Sequence, residues 1–476
     1  MSTVIDKSAR DVVQLLREGA IRPVDLVEQL RQHVVVADRD VNALPIRFFD
    51  DAARQAEQLE RTVPDPRQRG LLAGLPVAVK DFNDVAGQRT THGSPIFADT
   101  VAAQSDAMVT VLEHNGAIPY AKSNVPEFAG GHTYNTLFGA SRNPWNLARS
   151  VGGSSGGSAA ALASGSAWLA TGNDLGGSLR TPSGYNATVG LRPTPGRVPR
   201  RRSATPFDTL WVEGPMARNV ADVALMLDAM VGSDLCDPLT KPERPQSFLA
   251  RLGDFDAPRR VGFSPDLGCL PVEHEVRAVC GDALKHFEAL GTDVDSQCPS
   301  FGGAYDAFQA LRAHLVATVH GSLLAGDRGR IKADIVWNIE MGLSQSTERL
   351  LAAERVRGRL FHDVSEFFTT HDLLVCPSAP LEPFPVEWTH PATIDGVESQ
   401  TYIDWIAITF FVSLTGCPVV ALPCGFSAAG LPIGMQLIGR PGDEARLLSY
   451  ARRFEESVGI AGLLPITPRQ QETRLS

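Results

Sequence analysis

A run of glycine and serine from Gly152 to Arg180 restricts the fold of this chain more than any other stretch. It opens with GGSSGGS at 152–158, where residues without a Cβ atom let backbone amides and serine hydroxyls approach a ligand closely. It closes with DLGGSLR at 174–180, a second glycine turn whose consecutive N–H groups can converge on one anionic oxygen. The run therefore predicts a site built from backbone amides and hydroxyl groups.

The residues between the two glycine turns predict how the turns meet. Small side chains at 159–165 predict a close-packed helix, and residues 167–171 predict a short buried strand. A helix followed by a strand returns the chain towards its starting edge. We therefore expect Ser154 and Ser178 at one end of a sheet.

A lysine, Lys80, directly follows the apolar stretch 71–79, which predicts a buried strand. A lone lysine at such a place is explained most simply by an ion pair with a carboxylate at the rim of the sheet. Beside two serines, the same lysine is typical of a catalytic base. The unperturbed pKa of lysine is about 10.4, so Lys80 has to be desolvated before it can accept a proton near pH 7.

Three kinds of site compete as the explanation of the glycine and serine run. The first, the nucleophile elbow of α/β-hydrolases, has the pattern G-x-S-x-G but requires a strand directly before it, and residues 142–151 indicate a loop. The second, a phosphate-binding loop, requires G-x-G-x-x-G or a Walker lysine, and the run has neither. The third, two serines with a lysine base, uses Lys80, Ser154 and Ser178 together and is the interpretation we prefer.

Composition and charge narrow the class of protein. The 476 residues allow one large domain or two, and the formal net charge of −10 argues against an extended nucleic-acid surface. The N-terminal residues lack a basic region followed by an apolar core, and no stretch of about 18 apolar residues occurs, so we expect a cytoplasmic protein without membrane contact. Cysteine and histidine show no metal-ligand spacing, which predicts catalysis without a metal or cofactor.

The order of the predicted elements indicates an α/β protein. A helix at 107–115 followed by a strand at 117–121 is a crossover typical of doubly wound sheets. The segment 124–146 is rich in Gly, Pro and Asn and predicts a long ordered loop near a site. Residues 181–203 are again turn-rich. Their main basic cluster, predicted to be solvated with anion binding as the alternative, consists of Arg197, Arg200, Arg201 and Arg202.

Taken together, these segments resemble the amidase signature family. The resemblance covers nearly the whole chain and is carried by Lys80 and by GGSSGGS at 152–158, DLGGSLR at 174–180, KSNVPEF at 122–128, RNPWN at 142–146, GLRPTPGRV at 190–198 and GCPVVALPCGFSAAGLPIGMQLIG at 416–439. It implies a single large α/β domain with a mixed, mostly parallel central β-sheet covered by helices on both faces. It also implies hydrolysis of amide bonds by a Ser-Ser-Lys triad.

The resemblance implies one amidase domain over residues 1–476. Within it we predict a helical lead-in at 1–65, a catalytic core at 70–230 and a variable substrate-pocket region at about 300–400. Strands and a helix at 401–460 are expected to close the fold.

The catalytic residues of the family match positions of this sequence one by one. Ser178 matches the nucleophile, Ser154 the bridging serine in a cis peptide arrangement, and Lys80 the base. Ser154 is expected to relay the proton from Ser178 to Lys80 and later to return one to the leaving amine. The expected backbone donors of the oxyanion hole are Leu175, Gly176, Gly177 and Ser178.

Two departures from the family pattern are Asn173, where many members have Thr, and the pair Tyr185–Asn186, where an aromatic-Cys pair is common. Neither is expected to touch the triad. Ala129 and Gly130 match positions that line the family's acyl pocket, and with Ser154 they are the predicted substrate-binding residues. Their small size predicts room for a bulky or aromatic acyl group.

These inferences favour a stand-alone amidase that hydrolyses a small-molecule amide, or a related acyl-nitrogen compound, without nucleic acid. A homodimer is left open. The main alternative is a glutaminase-type subunit of a tRNA-dependent amidotransferase. NVPEF at 124–128, where that subunit typically has NMDEF, favours the free hydrolase. A non-catalytic binding protein on the same scaffold has no support, because Lys80, Ser154 and Ser178 are all present.

Overall fold

The computed structural model describes residues 3–200, 204–240 and 246–470. Its strands are β1 Ile46–Arg47, β2 Pro76–Lys80, β3 Ile118–Ser123, β4 Tyr134–Asn135, β5 Gly139–Ala140, β6 Arg142–Asn143, β7 Asn146–Ser150, β8 Leu169–Asp174, β9 Val189–Arg192, β10 Val212–Ala217, β11 Arg260–Phe263, β12 Asp293–Asp295, β13 Leu373–Pro377, β14 Thr393–Ile394, β15 Val397–Glu398, β16 Val419–Phe426 and β17 Pro432–Ile438. Its α-helices are α1 Ala9–Arg17, α2 Pro23–Ala37, α3 Phe49–Thr62, α4 Ala107–His114, α5 Gly156–Ala163, α6 Arg180–Asn186, α7 Val220–Met230, α8 His274–Ala283, α9 Lys285–Glu288, α10 Ala304–His320, α11 Leu324–Asp327, α12 Ala333–Ser344, α13 Thr347–Phe367, α14 Ala407–Ser413 and α15 Glu444–Val458.

One 11-stranded sheet runs through the described part of the chain, in the order β1-β3-β2-β8-β10-β9-β16-β17-β13-β11-β12. Strand β2 is parallel to β3 and β8, and β11 is parallel to β12 and β13. The other neighbouring pairs are antiparallel. The predicted single α/β domain with a mixed central sheet flanked by helices is confirmed. Parallel pairing is less frequent than the sequence indicated, because neighbouring strands from β8 to β13 alternate in direction.

Two parallel neighbours, β2 and β8, bring the glycine and serine run to Lys80. Val77 and Ala78 of β2 pair with Leu169 and Ala170 of β8, and every residue of both strands is buried. The carboxyl ends of parallel strands lie at one edge of a sheet. Lys80 at the end of β2 therefore lies beside the residues that end β8.

The helix between the two glycine turns, α5, is buried along its whole length. It begins three residues before the predicted helix, and the strand after it, predicted at 167–171, is β8 at Leu169–Asp174. Side chains are excluded at its start, because a Cβ atom on Gly157 would collide with the backbone of Asn124. The small residues therefore serve close packing, as predicted.

The residues after Arg180 differ from the prediction of turns, since they form helix α6 and strand β9. Their Ser, Pro, Gly and Asn residues are poor helix formers in isolation, but every residue of α6 is buried in the protein. Tertiary packing therefore overrides local propensity here. The predicted loop at 124–146 is mostly irregular, with short strands and one 3-10 turn at Glu127–Ala129. In the described residues, no helix combines the length and apolar character needed to cross a membrane.

Candidate active site

Lys80 is fully buried, and its amine contacts three side chains. Nζ lies 2.7 Å from Ser154 Oγ, 2.9 Å from Ser155 Oγ and 2.5 Å from Asn173 Oδ1. The backbone N–H of Lys80 donates to Thr171 Oγ1 at 2.9 Å, which fixes the end of β2. The structure therefore brings Lys80 and Ser154 together at hydrogen-bonding distance.

The surroundings of Lys80 favour its neutral form. Burial lowers the pKa of Lys80 to about 7, although the carboxyl groups of Glu213 and Asp174 act in the opposite direction. The three side-chain oxygens that contact Nζ are uncharged. Within the described residues Lys80 takes part in no ion pair, so the simpler explanation of a structural ion pair at the sheet rim is not supported.

Asn173 is part of this cluster, and the prediction that it does not touch the triad is wrong. Its Oδ1 accepts a hydrogen bond from Lys80 Nζ. The reason is the alternation of side chains along a strand, which puts Thr171 and Asn173 on one face of β8 and Asp174 on the other. Both residues on the first face contact Lys80. The alternation of side chains between the two faces of a strand was the sequence signal that could have identified Asn173. The pair Tyr185–Asn186 makes no hydrogen bond to the triad in the described structure.

The second glycine turn contains the four amides predicted to form an oxyanion hole, and one of them is already engaged. The Gly177 amide donates to Asp174 Oδ1 at 2.9 Å, so it is not available to a substrate oxygen. Among the described residues, none accepts a hydrogen bond from the amides of Leu175, Gly176 or Ser178. These three donors remain available where an oxyanion can bind.

Glycine is required in this turn for conformational and steric reasons. Gly177 has φ +128°, and a Cβ atom there would collide with the Thr409 side chain. Thr409 Oγ1 also donates to the Gly176 carbonyl at 2.7 Å, which holds the turn against helix α14. The turn is therefore clamped from the side opposite to Asp174.

Asp174 anchors the turn by means of buried charges. Its carboxylate accepts from the amides of Gly177 and Leu179 and from the guanidinium groups of Arg180 and Arg192, with Arg180 Nη2 at 2.9 Å. Burial opposes ionisation, but the two arginines and the hydrogen bonds outweigh it and hold the pKa of Asp174 well below its usual range.

We expect Asp174→Asn to lower the free energy of unfolding by about 3–5 kcal/mol, because Arg180 and Arg192 would stay buried without their counter-charge. Urea unfolding at pH 7 measures this loss. Since the folded pKa is depressed, the contribution of Asp174 is present at neutral pH and is lost only as the pH falls through its unfolded and then its folded value. The exposed pair Asp254–Arg251 is the control, and Asp254→Asn should cost less than about 1 kcal/mol. Equal effects of the two substitutions would contradict the anchoring role.

The two serines predicted to be catalytic, Ser154 and Ser178, lie in different glycine turns. The Ser155 amide donates to the Ser178 carbonyl at 3.2 Å, which ties the first glycine turn to the second. The Gly153–Ser154 peptide bond is cis, as the resemblance implied. No hydrogen bond joins the hydroxyls of Ser154 and Ser178 in the described structure. Of the three predicted catalytic residues, Ser178 is the most exposed, at 9% against 1% for Ser154 and 0% for Lys80.

A cavity of about 450 Å³ opens beside Ser178. Gly153, Leu175 and Gly176 also line it, so the second glycine turn borders the same space. Half of its other lining residues belong to helix α10 and to the segment between β2 and β3. Its aromatic lining consists of Phe82, His92, Phe97, Phe128, Trp211, Phe308 and His320.

The predicted pocket residues differ in their positions. Ala129 lines the cavity, as do its neighbours Phe128 and Gly131. Gly130 does not line it, because its Cα faces Ile335 and a Cβ atom there would collide with the Ile335 side chain. The small size of Gly130 thus reflects packing against α12 rather than room for an acyl group.

The basic cluster is only partly described. Arg197 pairs with Glu444 at 2.7 Å. Arg200 lines the cavity, but its guanidinium is held by the backbone carbonyls of Asp208 and Trp211, so it is not a solvated side chain. The other two predicted members, Arg201 and Arg202, lie outside the described residues.

Glu213 on β10 also lies at the cavity, although no sequence pattern identified it. It is 5% exposed, lines the cavity and accepts a hydrogen bond from Trp211 Nε1 at 2.9 Å. Burial raises the pKa of Glu213 to about 7. The segment VEGPMA carries Gly and Pro, so local propensity gave no sign of a central strand. Only the pairing of β10 with β8 reveals that Glu213 is near Lys80.

A family model described as Amidase matches residues 25–448. The chain is 33% identical to an acylamidase of Rhodococcus erythropolis over 458 residues, which cover 94% of each chain. The chain belongs to the amidase signature family. The chain also superimposes on the solved structure of a bacterial aryl acylamidase of the same family, with a TM-score of 0.89 and 28% identity. The match covers 97% of this chain and 99% of the other.

Other members of the amidase signature family that resemble the chain have a different activity. One is a component of the glutamyl-tRNA(Gln) amidotransferase of Synechococcus sp. (strain CC9605), which is 32% identical over 482 residues covering 95% of this chain and 96% of the relative. Family membership therefore leaves both kinds of enzyme to be distinguished. In the residues for which the structure gives positions, no three His, Cys, Asp or Glu side chains form a group that could hold a metal ion.

Proposed function

We propose that the protein is a stand-alone amidase that hydrolyses a small-molecule amide through an acyl-enzyme on Ser178, with Ser154 as proton relay and Lys80 as base. The observation that carries the proposal is the buried amine of Lys80 at 2.7 Å from Ser154 Oγ, behind a turn with free amides at Ser178. Serine is a weak nucleophile without such a base. A buried lysine with a lowered pKa supplies one near neutral pH.

A count of hydrogen bonds around Lys80 supports the role of Ser154. A neutral amine has two N–H groups and one lone pair, but Nζ has three oxygen neighbours. Asn173 Oδ1 can only accept, and Ser155 Oγ accepts while its own proton points to the Asn173 carbonyl at 3.4 Å. The lone pair of the neutral amine is then left for the O–H of Ser154. Ser154 is thus the hydroxyl from which Lys80 takes a proton.

The proposed reaction conserves protons at each step. Ser178 Oγ attacks the amide carbonyl carbon and gives its proton to Ser154, which passes its own proton to Lys80 Nζ. The proton returns by the same path to the leaving nitrogen, the carbon-nitrogen bond breaks, and the acyl group stays on Ser178 as an ester. Water then attacks the ester carbon and gives one proton along the same path to Lys80 Nζ. The bond between the acyl carbon and Ser178 Oγ breaks, the proton returns to Ser178 Oγ, and the carboxylic acid leaves. Substrate binding has to bring the hydroxyls of Ser154 and Ser178 into contact, as catalytic hydrogen bonds often tighten only in the complex.

The amides of Leu175, Gly176 and Ser178 fit the negative charge that develops on the carbonyl oxygen. They line or border the cavity and have no acceptor among the described residues. Fixed donors in a site that excludes water are the largest single contribution in many acyl-transfer enzymes. This arrangement supports amide hydrolysis rather than simple ligand binding.

The cavity wall favours an apolar, aryl-type acyl group. Ring centroids along the wall lie 4.4–6.1 Å apart in an unbroken series of contacts, formed by Trp211, Phe82, His92, Phe97, Phe128 and His320. Burial lowers the pKa of His92 to about 3 and that of His320 to about 4, so both rings are uncharged at neutral pH. Aromatic groups stack well against such a surface. The name of one relative, an aryl acylamidase, is consistent with a substrate that carries an aromatic group.

The alternative, a glutaminase-type component of an amidotransferase, is favoured by the relative of that kind that matches nearly the whole chain. A glutamine side chain is short and polar, and it would leave most of the aromatic wall without contact. The cavity therefore favours the stand-alone amidase.

The test is a substrate panel for the purified chain alone. We expect turnover of aryl-acyl amides, with kcat/KM at least about tenfold above that of glutamine, since each 1.4 kcal/mol of apolar contact corresponds to a factor of ten. Matched aliphatic and amino-acid amides define the preference. If the chain alone turns over no amide but gains glutaminase activity when tRNA and the other amidotransferase components are added, the amidotransferase function replaces the one proposed.

A further inference from the structure

Glu213 and Asn173 occupy directly opposite positions of the antiparallel pair β10 and β8. Side chains at such positions project on the same face of a sheet, with Cβ atoms about 5 Å apart. Asn173 on that face contacts the Lys80 amine. The register therefore places the Glu213 carboxyl one side chain away from Lys80.

The Glu213 carboxyl is only half satisfied. Oε1 accepts from Trp211 Nε1, but Oε2 is buried with no hydrogen-bond partner in the described structure. Asn173 Nδ2 on the opposite strand is also buried without a partner. An ionised carboxylate with a buried, unpaired oxygen is costly, whereas a protonated one carries no charge to compensate. The packing thus favours the carboxylic acid when Lys80 is neutral.

The charged groups around Glu213 come from several elements. Lys80 of β2 and Arg200 favour its ionisation, and Asp106, at the start of α4, opposes it. The Arg200 guanidinium is held by backbone carbonyls, and its Nη1 lies 3.7 Å from Asp208 Oδ2. Asp174, the other carboxylate that acts on Lys80, is paired with two arginines. Among the described residues, Lys80 is thus the cation near Glu213 that has no acidic partner of its own.

We propose that Glu213 is a positioning residue for the base, whose carboxyl controls through its charge whether Lys80 carries a proton. This inference rests on the proposed role of Lys80 in amide hydrolysis. The pair has two forms of equal total charge, the neutral amine with the carboxylic acid and the ammonium with the carboxylate. Only the first form contains a free base. The two groups therefore titrate together over a broad pH range rather than independently.

The test is the pH dependence of kcat/KM in Glu213→Gln, which keeps the size of the side chain and removes its charge. Without the carboxylate, the ammonium of Lys80 loses an attractive neighbour. We expect the acidic limb of the profile to move to lower pH by about 1 unit, the low end of the effect of an adjacent opposite charge. We also expect the acidic limb to become steeper, with the slope given by the titration of one group alone. Glu213→Asp should keep the limb near its wild-type position.

Glu455→Gln is the matched control. Glu455 on α15 is a carboxyl whose pKa burial also raises, to about 8, but it accepts from the Val220 amide and does not line the cavity. Its loss should leave the limb in place. If Glu213→Gln and Glu455→Gln both leave the limb unchanged, or both move it equally, the proposal is wrong.

A second measurement does not depend on activity. The infrared difference between wild type and Glu213→Gln should contain the C=O stretch of a protonated carboxylic acid at pH 6, and this band should vanish at high pH. Absence of the band at pH 6 would overturn the proposal even if the enzyme is active. A panel without any amide turnover, with the band present, would instead refute the amidase function and leave the protonation of Glu213 established.

Discussion

Replacing Ser178 by alanine is expected to lower kcat for every amide substrate by about 10⁴- to 10⁶-fold, the loss seen when a hydrolase loses its nucleophile. Ser178 is the hydroxyl that lies both at the cavity and next to the free amides of the second turn. No other group can form the ester if this assignment is right. Steady-state kinetics with an aryl-acyl amide, together with a thermal melt, separate this loss from unfolding.

Two other serines provide control variants for this experiment. Ser183 on α6 is buried, and its hydroxyl donates to the Leu179 carbonyl, so Ser183→Ala should keep kcat within a few-fold. Ser155 contacts Lys80 but does not line the cavity. If Ser178→Ala stays near wild-type activity while Ser155→Ala is inactive, the nucleophile has been assigned to the wrong serine.

Replacing Lys80 by methionine should lower kcat by about 10²- to 10⁴-fold, the usual contribution of a general base. Methionine keeps most of the length and removes the amine, so the fold should tolerate it. In the proposed mechanism the base is the neutral amine, and its pKa of about 7 should make wild-type activity rise with pH through neutrality. The variant should lose this dependence together with the rate. Kinetics from pH 5 to pH 9 measure both changes.

Lys122 on β3 offers a matched control, because it is a second fully buried lysine one strand away. Its amine donates to the Asn83 carbonyl and to Thr90 Oγ1 and lies 3.6 Å from Asp81. Lys122→Met should destabilise the protein, since Asp81 would lose its cation, while the pH limb of the folded enzyme stays in place. If the acidic limb of the pH profile moves in Lys122→Met but not in Lys80→Met, the assignment of Lys80 as the base is wrong.

The sequence predicted those parts of the fold and of the candidate site that depend on local pattern. The apolar stretch before Lys80, the small residues of α5 and the two glycine turns each specify their own backbone. Helix α4 at Ala107–His114 and strand β3 at Ile118–Ser123 begin and end within two residues of their predicted bounds. Lys80 contacts Asn173 because the parallel strands β2 and β8 end at one edge, and Ser154, in the turn before α5, contacts the same amine.

What the sequence could not supply depends on pairing between distant segments. Glu213 approaches Lys80 only because β10 inserts beside β8 in one register. The Gly177 amide cannot serve in the predicted oxyanion hole because it donates to the Asp174 carboxylate. Gly130 is small because Ile335, about 200 residues later, packs on it. Neither residue type nor spacing reveals such contacts, since each is set by the packed structure.

The assignment of 300–400 as the substrate-pocket region stays a prediction. Helix α10 contributes Phe308 and His320 to the cavity. Phe82, Phe97 and Trp211, which lie outside that region, also line it. A pocket formed by several segments is expected of an α/β enzyme, where loops from successive strands meet at one edge of the sheet.

The acyl-enzyme tests the account most directly. A slowly hydrolysed aryl-acyl substrate, quenched in acid during turnover and followed by proteolysis and mass spectrometry, should add the mass of the acyl group to the peptide that contains Ser178. Hydroxylamine in the same reaction should divert product from the acid to the hydroxamate, because it competes with water for the ester. The adduct should be absent in Ser178→Ala. An acyl group found on a peptide without Ser178, or turnover with no adduct and no hydroxamate, would contradict catalysis through Ser178.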